Sequence, residues 1–221
     1  ARVDTTAVRE MLLLSSHLRG QIAATHRRFG KPLLLSEWGI LAPGTGSESV
    51  AAAVGIADGF LALIDEWEAG RIRSACLHML CHGRAAQGSG LYGLDRDTMT
   101  IRTSRRGAIY ELALAAFRDA RLLSGTSEGP ALTEGVPGVT ARAVLRPDGG
   151  MAVFAVNKFD VTTPLQVIAN GQTTGEYEMT AYVEDGLAEG AMSWPPGEQP
   201  LVTRRASGEI PLPPLSVSLI R

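Results

Sequence analysis

Between Thr6 and Arg28, apolar residues recur at helical spacing through Val8, Met11, Leu12, Leu14, Leu18, Ile22 and Ala23. Thr5 or Thr6 is placed to cap the start and Gly30 to end it. The pattern predicts one amphipathic helix. Pro32 blocks its continuation, and LLLSEW at 33–38 is a short continuous apolar run, the pattern of a strand covered on both faces. Side chains alternate along a strand, so Leu33, Leu35 and Glu37 are expected on one face and Leu34, Ser36 and Trp38 on the other. Glu37 is the last of its row. A turn-rich loop, APGTGSES, leads to a second helix from about Ser49 to Ala69, with Val50, Val54, Ala57, Phe60, Leu61, Ile64 and Trp67 on one side and Gly70 as its stop. RSACLHMLCH at 73–82 predicts another buried strand, with Cys76, His78, Leu80 and His82 in one row. Residues 83–103 are expected as a long glycine-bearing binding loop, and a third helix runs from about Ser104 to Leu123.

Helix and strand in alternation are the repeat of a parallel α/β architecture. Two strands do not make a stable parallel sheet, so residues 1–124 read as part of a larger β/α barrel or sheet. At 125–138 Gly, Ser, Pro and Thr mark a linker, and beyond it the period changes. VTARAVL and MAVFAVNKF flank Arg-Pro-Asp-Gly-Gly, a hairpin signal, because Asp-Gly tolerates the positive φ of tight turns. Further runs at TPLQVIA, GEYEMTAYVE, LVTRRA and LSVSLIR predict an antiparallel β-sandwich over 139–221. The expected class is thus α/β plus all-β: a partial (β/α)8 barrel segment followed by a sandwich.

Composition narrows the partner. The 221 residues are 45% hydrophobic and 20% charged, with a formal net charge of -2. That profile is soluble and globular, and without a basic block it argues against nucleic acid or an anionic membrane. No apolar run approaches the roughly 20 residues of a membrane-spanning helix. The expected partner is a neutral small molecule or another protein. Cys76 and Cys81 do not form a disulfide framework, and the chain opens on Ala1, which suggests removal of preceding sequence. Localisation stays open between the cytoplasm and the outside. Cys76, His78, Cys81 and His82 are zinc-ligand types, but alternation sends Cys81 away from the histidines, so neither a metal nor another cofactor is expected. Paired charges such as DEWE and SRR read as solvated helix faces.

Glu37 is the candidate for chemistry. A carboxylate at the end of an apolar strand is either tied to a partner or placed to react, and barrel enzymes carry their catalytic groups at the carboxyl ends of strands. KPLLLSEWG, the helix and strand after it, and GSGLYGLD resemble the seventh and eighth β/α units of clan A retaining glycoside hydrolases of the α-L-arabinofuranosidase and β-xylosidase type. MAVFAVNK and LPPLSVSLIR resemble the start and end of the β-sandwich that follows the barrel in those enzymes. The resemblance implies carbohydrate as substrate, on plant or microbial polysaccharide side chains, with Glu37 as nucleophile and His78 and His82 as sugar-contacting residues. A retaining pair also needs a second carboxyl group about 5 to 5.5 Å away. In the family it follows an asparagine on the fourth strand, whereas the only asparagines here are Asn157 and Asn170, in the sandwich. The chain alone is therefore expected to be inactive, completed by a missing N-terminal barrel portion or by an oligomer. The alternative is a non-catalytic carbohydrate-binding or protein-interaction module in which the sandwich does the work and the α/β part is scaffold. Tyr92 and Trp194 read as plain packing residues before exposed aromatics for carbohydrate contact.

Overall fold

The helix expected over Thr6–Arg28 is divided. In the computed structural model, α1 (Thr5–Leu12) and α2 (Leu14–Phe29) meet at Leu13, whose N–H donates to the carbonyls of Arg9 and Glu10. Gly30 closes α2 with φ +63 and an N–H donated to His26 O at 2.8 Å, the left-handed cap that glycine adopts without a Cβ penalty. The structure describes residues 5–40, 49–82, 90–173, 175–184, 193–195 and 197–221. By its contacts the chain forms two units, Ala1–Ala108 with Leu187–Gln199, and Ile109–Gly186 with Pro200–Arg221.

In the first unit, β1 (Leu33–Trp38) pairs in parallel with β2 (Ile72–Leu77) across α3 (Val50–Glu68). Ser49 caps α3 by accepting from the N–H of Ala52 at 3.1 Å. The three helices bury one face of this sheet: Met11, Ile22, Ile56, Leu63, Trp38 and Ile72 form its core. The Ser15 hydroxyl donates to buried Asp58 between α2 and α3. Buried Glu66 accepts two guanidinium bonds from Arg71, so the DEWE cluster is not wholly a solvated face.

The helices pack closely enough to make glycine decisive. A Cβ on Gly55 would stand 2.2 Å from the Met11 carbonyl oxygen, a backbone atom that cannot swing aside. Alanine gains about 1 kcal/mol of helix propensity over glycine, but forcing two backbones apart costs more, about 1–3 kcal/mol or above. Gly55→Ala is expected to destabilise the chain in urea unfolding. Gly20→Ala, on exposed helix with nothing within 4 Å, is expected to stabilise it by about 0.5–1 kcal/mol.

Two expectations fail here. The sheet is covered on one face only: among the described residues Leu34 of β1 is 74% exposed, because this sheet has two strands and the helices pack on one side. The strand expected over 73–82 also ends early. β3 (Cys81–His82) leaves β2 and pairs in parallel with β4 (Tyr92–Asp95), so Cys76 and His78 share no row with His82. Part of the expected binding loop is a hairpin, β4 with β5 (Thr100–Ser104), and residues 83–89 lie outside the described residues. Backbone N–H groups of Thr98 and Asp97 in its turn hold the Asp95 carboxyl below its ordinary range. The third helix is α4 (Arg105–Phe117).

The second unit is β-rich. Its strands are β6 (Arg121–Leu122), β7 (Ala131–Thr133), β8 (Val136–Pro137), β9 (Val139–Leu145), β10 (Met151–Asn157), β11 (Thr163–Leu165), β12 (Ile168–Ala169), β13 (Gln172–Thr173) and β14 (Glu176–Tyr182). β15 (Ser193–Trp194) belongs to the first unit, where it pairs with β5, and the second unit continues with β16 (Leu201–Ser207), β17 (Ile210–Leu212) and β18 (Ser216–Ile220). An antiparallel six-stranded sheet runs in the order β16-β14-β18-β10-β9-β6. Its β9–β10 hairpin turns at Asp148-Gly149, with Gly149 at φ +83 and Asp148 Oδ1 accepting from Gly150 N at 3.0 Å. The β11–β17 ladder contributes Ile210 and Leu212 to the core on one face, and Phe117 meets Phe154 edge-on at 5.5 Å. Strand β10 is buried along nearly its whole length, which accounts for the unbroken apolar run AVFAV. Residues 125–138 lie inside this unit and carry the β7–β8 pair.

Candidate functional site

The structure corrects the alternation expected around Glu37. The β1–β2 register shifts between Leu35 and Trp38, and the irregularity lets Trp38 join Leu33 and Leu35 in the helix-covered core. Trp38 is 7% exposed, and a Cβ on Gly59 of α3 would stand 3.0 Å from its ring, so the indole anchors the strand end to the helix. Glu37 is displaced from that core. Its side chain is 64% exposed on a sheet where Leu34 and Ser36 are exposed too.

Parallel pairing brings the second residue. His78 follows β2 directly and donates its backbone N–H to Trp38 O at 2.9 Å, which extends the ladder one step beyond the strand. Its ring Nδ1 stands 3.6 Å from Glu37 Oε1, and its side chain is 29% exposed. The contact is of ion-pair length, somewhat longer than a hydrogen bond. The peptide bond from His78 to Met79 is cis. The backbone of His82 lies in β3 opposite Gly93, and its side chain lies outside the described residues.

The glycine in the Glu-Trp-Gly motif has a structural reason. Gly39 sits at φ +142, and a Cβ there would meet His78 O at 3.2 Å, so the chain turns off the strand against the His78 backbone. One supporting residue was not legible in the sequence. Arg106, 2% exposed, donates from Nη2 to Ile40 O at 2.9 Å and fixes the segment just past Gly39. Its Ser-Arg-Arg context carries no signal separating it from a solvated helix face, which is how sequence patterning places it. Tyr92 and Trp194 are half-buried and sit in neighbouring ladder positions, each paired with Thr103.

What the described residues assemble is an exposed carboxylate beside an imidazole, at the carboxyl end of two parallel strands and backed by a packed helical layer. A carboxylate so placed can attack an electrophilic carbon or take up a proton.

No protein-family profile and no curated protein sequence matches the chain. Solved structures do. The GH51 arabinofuranosidase from Xanthomonas axonopodis pv. citri aligns over 95% of this chain and 45% of its own, at 18% identity and a TM-score of 0.70. The α-L-arabinofuranosidase from Thermotoga maritima aligns over 100% of this chain and 50% of its own, at 15% identity and a TM-score of 0.72. The catalytic domain of GH30 xylanase C from Talaromyces cellulolyticus aligns over 86% of this chain and 40% of its own, at 16% identity and a TM-score of 0.55. At such identities the likeness is one of fold. The chain spans about half the length of the arabinofuranosidases it matches.

Proposed function

We propose that the chain is the C-terminal part of a retaining glycoside hydrolase: the last two β/α units of a (β/α)8 barrel followed by its β-sandwich. The observation that carries this reading is Glu37, exposed beside His78 at the carboxyl end of a parallel strand, in a fold shared with arabinofuranosidases over half their length. The uncovered sheet face with exposed Leu34 supports it further, since barrel strands bury both faces.

In this reading Glu37 attacks the anomeric carbon of a glycoside on a polysaccharide or oligosaccharide. The bond to the leaving oxygen breaks as that oxygen takes a proton from a carboxylic acid outside this chain, and a glycosyl ester forms on Glu37. Water, deprotonated by the same second group, then cleaves the ester and releases the sugar with its original anomeric configuration. His78 and His82 line the sugar subsite. The substrate class is a pentosyl side chain of a plant or microbial polysaccharide. Trapping the ester with a mechanism-based glycosyl inhibitor, in the protein completed by its barrel, tests the assignment at the residue itself.

A further inference from the structure

We propose that His78 is a positioning residue for Glu37, holding the carboxylate at the strand rim through its ring Nδ1. The inference rests on the reading of Glu37 as nucleophile and adds to it the group that aims it.

Two contacts fix the His78 backbone, and a third braces the segment beyond Gly39. The His78 N–H to Trp38 O bond ties its backbone to the residue next to Glu37. Gly39 packs against the His78 carbonyl so closely that a larger residue would push the two chains apart. Arg106 holds the carbonyl of Ile40 immediately beyond. The His78 backbone is therefore built into the frame and its side chain is 29% exposed, whereas Glu37, 64% exposed, is a long side chain with rotamers to choose from. The 3.6 Å between Nδ1 and Oε1 is within a small torsion of a hydrogen bond, and such contacts tighten when a site is completed and occupied. A neutral imidazole offers one donor and one acceptor, and a carboxylate facing Nδ1 selects the tautomer with its proton there. The consequence is a nucleophile held in one orientation, where a displacement of about 1 Å can cost about 10²-fold in rate.

The test compares three variants in the completed enzyme. His78→Phe keeps the ring's bulk and removes the donor; it is expected to lower kcat about 10- to 100-fold. His78→Asn places an amide N–H near the Nδ1 position and is expected to restore most of the loss. His78→Gln places its amide near Nε2 and is expected not to. Rescue by Gln but not Asn, or a wild-type kcat in the Phe variant, overturns the proposal. Activity surviving in Glu37→Gln, assayed alongside, would instead overturn the nucleophile reading beneath it. A second measurement avoids His78 variants that fail to fold: long-range ¹H–¹⁵N spectra of the 221-residue chain at pH 8.5. The proton is expected on Nδ1, moving to Nε2 in Glu37→Ala; a proton on Nε2 in both contradicts the geometry.

Discussion

Replacing Glu37 by Gln in the barrel-completed enzyme is expected to lower kcat/KM for an aryl pentoside by about 10⁴-fold or more. The amide keeps the shape of the side chain but cannot form the ester, so only binding and the remaining acid support the reaction. In the 221-residue chain the same substitution is expected to change stability little, because Glu37 is exposed there and contributes nothing to the helix-covered core. Thermal unfolding of both proteins separates the two effects. A large loss of rate with an unchanged Tm marks a residue used for chemistry, whereas a falling Tm marks a structural one. Trp38→Ala is the contrasting case: it empties a buried indole site above Gly59 and is expected to cost about 3–5 kcal/mol of stability.

The second large effect concerns completeness. The 221-residue chain by itself is expected to cleave aryl arabinofuranosides and xylosides no faster than buffer, and to gain activity when joined to, or mixed with, the preceding β/α units. Loss of the general acid alone forfeits about 10²- to 10⁴-fold. Turnover by the chain alone, at the rate of the completed protein, would show that no missing half is needed. Leu34 gives the physical counterpart: its exposed side chain on β1 is the kind a barrel interior buries, at about 1.5–3 kcal/mol when fully covered.

Local signals in the sequence carried far where one rule governed the outcome. Ser49 capping α3, Gly30 ending α2, the bounds of β1 and the Asp148-Gly149 turn each follow from a single residue's backbone preference. The site depended on what such rules do not contain. Strict alternation put Glu37 with Leu33 and Leu35, and a register shift, which no residue type in SEW announces, moved Trp38 to that side instead. The departure of β3 from β2 depended on pairing with Tyr92 and Gly93, a contact set by tertiary structure. Arg106 was illegible for a related reason. A buried arginine and a surface arginine look alike until the carbonyl it serves, here Ile40 O, is brought alongside by folding.

The chemistry is decided by which atom the sugar becomes bonded to. A 2-fluoroglycosyl or epoxide inhibitor of matching sugar configuration, reacted with the completed enzyme and followed by peptide mass spectrometry, reads that atom's residue. The predicted result is a single glycosyl adduct on the peptide that contains LLLSEWG, localised by fragmentation to Glu37 and absent in Glu37→Gln. An adduct on any other residue of the completed protein, with Glu37 unmodified, would contradict it.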